Sequence, residues 1–398
     1  MAWFSQISKL RPVKGFQFSR PIVLFHSDDW GLIGIRDLVG FRKLKDGGLE
    51  LGDQPYDFYS LETAEDLYRL YEVLLRHRDS IGRPPCFVFN FIVSNVNFPK
   101  VTDSGFRSLE LMSLDEGFPG RWQRSGLLEA YREGIQCGLI YPAFHGLTHF
   151  CLRVAERTLN DQGDRGGLLR KIYAADTPFI PERMRWISFE YRDDSGDEGS
   201  GWLDLATQQK LIQEGVGLFE RIFGFFPTSA CAPGYRMNQD TRRGWALMGI
   251  RVAHYGPALQ MAPHFDESGL LMVHRNVPFE PALEEDHTNL LRVLNQANEC
   301  FRAGRPITVC MHSVNFHSTI KNNRDQTLQH LDHFLGMLER KYEDLLYVHD
   351  DDLWQMVKTS SMEWNGHQIP IRVKKVLQPS PSLQYQLWKM SGKTTIAT

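Results

Sequence analysis

Two adjacent carboxylates, Asp28 and Asp29, close the apolar run Pro21-Ile-Val-Leu-Phe-His-Ser and lead into Trp30 and Gly31. Side by side where a buried strand ends, they repel one another, so a cation or a catalytic task must compensate. A divalent metal is the usual compensation. Partners of the right type stand in Phe144-His145-Gly-Leu-Thr-His149, just past the apolar stretch Leu139-Ile140-Tyr141. One aspartate oxygen with two neutral imidazoles is a common set for an open divalent site, with positions left for water and substrate. The His-x3-His spacing brings both rings to one side if the second lies on a helical turn, and Pro142 marks where extended structure ends. Alone, such a pair is more often two satisfied surface histidines. The acidic pair at a separate strand end is what argues for a site.

One ion cannot take both carboxylates and leave a base, so the two aspartates need different roles. If one binds the ion, the other is free to take a proton from water. Spacing does not say which, and the simpler alternative for Asp28 is a cap on the turn after the strand. A third imidazole, His312, leaves the apolar run Ile307-Thr-Val-Cys310-Met and is a candidate general acid, the competing reading being a core histidine.

Short apolar runs that read as strands recur at Ile22–His26, Cys86–Ile92, Leu139–Phe144, Thr228–Ala232, Ile250–His254, Leu270–Val273, Ile307–Met311 and Leu345–Val348. Between them lie segments with helical stripes, such as Leu61-Ala64-Leu67-Leu70-Leu74 and Leu203-Ala206-Leu211-Ile212-Val216-Phe219. Strands alternating with helices predict a parallel sheet, and about eight of them predict a closed or nearly closed α/β barrel. In a barrel, functional side chains collect at the carboxyl ends of the strands, where Asp28, Asp29, His145, Pro233-Gly234-Tyr235 and His312 all fall.

With 398 residues, the chain has room for one large α/β domain and an appendage. The segmentation predicts an N-terminal extension over 1–20, a barrel domain over 21–358 and a small β appendage over 359–398, where Trp364-Asn365-Gly366-His367 reads as a turn into an edge strand. A net charge of −3 with no basic block leaves no footprint for nucleic acid. No run is long and apolar enough for a membrane span or an export signal, which predicts a cytoplasmic location. Six cysteines without a CxxC pair read as free, mostly buried thiols. The acidic, glycine-rich segment from Tyr191 to Gly201 reads as a mobile surface loop.

The ordered set of Asp-Asp-x-Gly, His-x3-His, a Pro-Gly-Tyr turn after Gly224-Phe-Phe-Pro227, Leu247-Met-Gly249 and a late strand-end histidine resembles the polysaccharide deacetylase superfamily. That is the chitooligosaccharide-deacetylase homology group, or carbohydrate esterase family four; the YdjC-like branch shares the same opening and later histidines. The resemblance spans roughly Pro21 to Val348. It implies a distorted (β/α) barrel of about seven strands and removal of acetyl groups from N- or O-acetylated sugars with a divalent metal, zinc foremost, with cobalt, nickel or manganese as alternatives. By that similarity Asp28 is the base, Asp29, His145 and His149 are metal ligands, His312 is the acid, and the Tyr235 backbone N–H helps hold the oxyanion.

The chain departs from that pattern at three places. His26-Ser27 stands where Thr-Phe is usual, so His26 is a candidate contact to metal or substrate. Cys231 stands where an arginine usually orients the base, which makes Arg236 the candidate replacement. The aspartate-tryptophan motif that braces the acid histidine is not recognisable. Trp30, Asn90, Pro233 and Gly234 are further candidates for the substrate side. The expected substrate is a carbohydrate, with a role in polysaccharide biosynthesis. Two other readings are a glycoside hydrolase on the same scaffold, in which Asp28 works with another carboxylate, and a non-catalytic carbohydrate-binding protein that keeps the metal site. The residues do not indicate an oligomeric state.

Overall fold

Runs of Ile, Val, Leu and Phe too short for helices form the strands of one sheet. In the computed structural model, which describes residues 12–256, 260–283 and 289–384, parallel strands follow the order Ile307–His312, Ile22–Trp30, Phe87–Phe91, Ile140–Phe144, Ser229–Ala230, Val252–Tyr255 and Leu271–His274. The last continues past a kink at Arg275 and Asn276 into Val277–Pro278, which pairs in parallel with the first at Val277 and Val309. The sheet thus curls back on itself, and the expected α/β barrel has seven parallel strand positions. The eighth predicted strand, Leu346–Tyr347, pairs with Ile22 and Val23 and stays outside that circuit.

Alternation along each strand divides its side chains between two cores. Val23 and Phe25 pack with Leu67, Leu70, Leu331 and Leu335 of the surrounding helices. Ile22 and Leu24 pack instead with Val252, Leu271 and Val273 and with Leu353 and Met356 of the helix Asp350–Thr359. Ile22, Leu24, His26 and Asp28 therefore share the inward face of their strand. The predicted helical stripes form Ala64–Leu74, started by a Thr63 capping box, and Leu205–Phe223, capped by Asp204 and stopped at a left-handed Gly224.

The tail forms the expected hairpin, Ser361–Trp364 with His367–Pro370, and then Val373–Gln378 pairs antiparallel with Val13–Phe18. Residues 1–11 of the predicted extension and 385–398 of the predicted appendage lie outside the described residues. Of the six free thiols, all but Cys137 are buried. Among the described residues, no helix is long and apolar enough to cross a membrane.

The structure corrects two expectations. The acidic segment is not an unanchored loop: Arg192–Asp193 pairs with Gly201–Trp202, and the buried Asp193 carboxylate lies 3.5 and 3.4 Å from the guanidinium groups of Arg153 and Arg157. Charge pairing holds it where apolar content could not. Trp30 does not reach a substrate. It is 0% exposed and stacks on Phe89 with ring centroids 3.6 Å apart, because the strand turns it towards the helix layer. Trp30→Ala is therefore expected to cost about 3–5 kcal/mol of unfolding free energy in denaturant titrations. A stable variant with an altered substrate affinity would instead put the indole at the site.

Candidate functional site

Strand alternation alone would send Asp28 and Asp29 to opposite faces. Asp29 escapes it with φ of +70°, a left-handed conformation that costs a non-glycine residue about 1–3 kcal/mol, and the pairing register shifts between Ser27 and Trp30. The turned carbonyl accepts from the hydroxyls of Tyr59 at 2.7 Å and Ser313 at 3.2 Å. Both carboxylates now serve one site, each about 3% exposed.

Asp29 Oδ1 lies 3.2 Å from Nε2 of His145 and 3.2 Å from Nε2 of His149. Metal–ligand bonds of about 2.0–2.2 Å put neighbouring donor atoms roughly 3–3.5 Å apart, so these three fit a divalent ion. His145 Nδ1 donates to the Cys231 carbonyl at 2.9 Å, which leaves the Nε2 lone pair facing Asp29. Burial pushes the Asp29 carboxyl up, but the two facing imidazoles, His149 foremost, hold it well below the usual range. A second possible set, Asp28, His145 and Cys231, competes for the same imidazole. It is the weaker set, because burial pushes the Cys231 thiol up and Asp28 is already engaged.

The two histidines converge through an irregular turn, not the helical turn expected from their spacing. Buried Glu190, pushed up to about 8 by burial, braces that turn by accepting the N–H groups of Leu147 at 2.9 Å and Thr148 at 3.0 Å. Gly146, with φ of +120°, is required here: a Cβ would run into the Glu190 carboxyl.

Asp28 is gripped by an arginine that sequence reasoning missed. Arg275, fully buried at the kink after Leu271–His274, donates from Nη1 to Oδ2 and from Nη2 to Oδ1, both at 2.6 Å. Asn90 adds a third donor at 2.8 Å, so this amide faces the carboxylate and not a substrate. Burial pushes the Asp28 carboxyl up, yet Arg275 and the neighbouring imidazoles hold it far below the usual range. The sulfurs of Cys231 and Cys310 flank the guanidinium at 3.6 Å each, small enough to leave it room.

Arg236 does not supply this contact. It is exposed and lies over the Phe189 ring at 5.1 Å. The Tyr235 backbone N–H is likewise committed, donating to the Ala232 carbonyl at 2.8 Å inside its turn, while the Tyr235 hydroxyl accepts from Arg275 at 2.9 Å. Of the turn's first two residues, Pro233 is buried and Gly234 exposed. His26 touches neither the Asp29 group nor solvent; it is 0% exposed and bonds to Asp350.

Opposite Arg275, His312 Nε2 lies 3.8 Å from Asp28, and its Nδ1 donates to Glu280 at 2.7 Å. Glu280 also accepts from the His312 N–H at 3.1 Å and from Asn315 at 2.5 Å, so it braces the imidazole where no motif announced a brace. Burial lowers the imidazole, but Glu280 outweighs it and holds His312 well above its ordinary value. The Tyr56 hydroxyl comes within 3.4 Å of Asp29 Oδ2. Arg275 was findable, since it follows a predicted strand and the strand-end rule had located the other groups. Glu280 and Tyr56 follow a two-residue strand and sit in a one-turn helix, neither of which leaves a periodic signal.

His145→Ala is expected to abolish tight zinc binding in calorimetric titration of metal-free protein. Glu190→Ala is expected to weaken it roughly 10- to 100-fold by loosening the ligand turn. Wild-type affinity in both variants would place any bound ion elsewhere.

No family model matches the chain, and no curated protein matches it. Among solved structures, it is similar to a Mycobacterium smegmatis protein provisionally described as a polysaccharide deacetylase, at 13% identity and a TM-score of 0.42, covering 85% of this chain and 90% of that one. A Parabacteroides distasonis protein provisionally described as a glycoside hydrolase/deacetylase gives 9% identity and a TM-score of 0.48 over 86% and 72%. Peptidoglycan deacetylase PdaC from Bacillus subtilis gives 11% and 0.35 over 86% and 92%. Such likenesses transfer neither activity nor substrate. The solved structures to which this chain is similar thus include proteins described as polysaccharide and peptidoglycan deacetylases.

Proposed function

We propose that this chain is a metal-dependent hydrolase that removes acetyl groups from an N- or O-acetylated carbohydrate. The observation that carries the reading is the division of labour around Asp28 and Asp29. One carboxylate is locked to a permanent cation, the other is offered to two imidazoles, and a braced histidine stands on the open side.

A divalent ion held by Asp29, His145 and His149 would supply Lewis-acid polarisation of the acetyl carbonyl. Asp28 takes the proton of the attacking water; Arg275 and Asn90 fix its oxygens in place, and Arg275 keeps it ionised. His312, kept protonated by Glu280, delivers a proton to the departing amine or hydroxyl of the sugar. With the Tyr235 N–H engaged, the Tyr56 hydroxyl, 3.4 Å from Asp29 Oδ2, is the candidate donor to the developing oxyanion. A glycosidase would need a second free carboxylate for Asp28, whereas Asp29 and Glu280 are both committed to histidines. The reading extends to an acetylated precursor of polysaccharide assembly, with zinc as the ion and the cytoplasm as the location.

Acetate release from a panel of N- and O-acetylated oligosaccharides tests it. Zinc-loaded wild type is expected to release acetate, and Asp28→Asn to lose at least 100-fold in kcat, by the usual size of general-base catalysis. New reducing ends without acetate would overturn the reading in favour of glycoside cleavage, and tight glycan binding with no product would favour a binding protein. The pH profile is a second test. An imidazolium raised by Glu280 is present below its pKa and lost as pH rises through it, so Glu280→Gln is expected to move the alkaline limb of kcat/KM to lower pH. An unmoved limb would remove His312 from the acid role.

A further inference from the structure

Below Asp28, on the same inward face as the apolar Ile22 and Leu24, stands His26. A barrel interior is ordinarily filled by apolar layers. Here one layer is polar. His26 Nε2 lies 2.8 Å from Asp350 Oδ1, His254 Nε2 lies 2.7 Å from Asp350 Oδ2, and the two rings stack with centroids 3.8 Å apart. All three residues are 0% exposed and come from different elements: the strands Ile22–Trp30 and Val252–Tyr255 and the first turn of the helix Asp350–Thr359. Burying a carboxylate and two imidazoles is costly unless each is satisfied, so the layer needs a reason.

The hydrogen-bond logic supplies one. A carboxylate only accepts, so both Nε2 atoms carry protons; a guanidinium only donates, so the His254 Nδ1 that faces Arg275 on the ring's other side is the acceptor. Nη2 of Arg275 lies 3.4 Å from that atom. The same Nη2 grips Asp28 Oδ1, while Nη1 holds Asp28 Oδ2 and the Tyr235 hydroxyl. We infer that His254, oriented by Asp350 and stacked on His26, is a positioning residue that fixes the guanidinium plane of Arg275 and through it the carboxylate of Asp28. The three residues could instead hold an ion of their own. Their separations of 2.7 and 2.8 Å are hydrogen-bond lengths, shorter than the 3.2 Å in the Asp29 group.

The inference rests on the deacetylase reading only for its kinetic consequence, so the experiment has two arms. In the first, rotation of the Arg275 guanidinium is measured by NMR on arginine-labelled protein, with the resonance assigned by Arg275→Lys. Separate, slowly exchanging Nη signals are expected in the wild type and averaged signals in His254→Phe, whether or not any acetylated sugar is turned over. The second arm measures acetate release by zinc-loaded variants. His254→Phe is expected to lose roughly 10- to 100-fold in kcat with KM and bound zinc unchanged, the usual size of an outer positioning contact. His254→Asn, whose oxygen takes the Nδ1 place, restores most of the loss; His254→Gln, whose amide reaches only Asp350, does not. If His254→Phe fails to fold, the Asn and Gln pair decides through both readouts. Failure of wild type to release acetate would sink the deacetylase reading and leave the NMR arm standing. Unaltered Arg275 rotation with equal Asn and Gln variants, or a second zinc equivalent lost in His26→Ala but kept in His145→Ala, would overturn the inference.

Discussion

Two neighbouring carboxylates that must be buried together and share one site set the terms for the rest of this molecule. A regular strand would separate them, and burial would protonate them or drive them apart. The left-handed turn at Asp29 solves the first problem at the cost of local strain, which the hydroxyls of Tyr59 and Ser313 hold in place. Opposite charge solves the second, and it does so differently for each. Asp28 meets a guanidinium that cannot be deprotonated. Asp29 meets two imidazoles.

That asymmetry explains why so much buried polarity surrounds the mouth of the barrel. Glu190 shapes the turn that carries the imidazoles, and Glu280 with Asn315 fixes His312. Asn90 and Tyr235 close the remaining positions around Asp28 and Arg275. Removing one member of a buried charged pair typically costs about 3–5 kcal/mol, so the Asp28 and Arg275 pair constrains the fold as well as the site. The kink at Arg275 and Asn276 is also where one strand changes partners and the sheet turns back on itself. The closure of the barrel and the setting of Asp28 therefore depend on the same few residues.

Much of this was legible in the residues themselves. Each apolar run predicted as a strand is a strand, because composition and length leave short buried segments little else to form. The acidic pair and the two histidines announced a candidate metal set, and the structure brings Asp29, His145 and His149 together, while Asp28 is compensated by Arg275. Trp30 misled because an aromatic next to a candidate base looks like a sugar platform, whereas strand geometry points it at Phe89. Arg236 misled because nearness along the chain stood in for nearness in space.

The sequence by itself determined the main strands of the parallel circuit and the candidate ligand types and their order, because these follow from local pattern and from which side chains can hold charge. Only the tertiary structure decided who serves whom. Asp28 and Arg275 are 247 residues apart, His26 and Asp350 are 324 apart, and their pairing depends on strand order and on the direction each side chain takes at a kink. Hydrogen bonds reach about 3 Å and carry no record in the chain of what will stand at that distance. Side-chain direction, not composition, gave Asp28 to Arg275 and Asp29 to the two imidazoles.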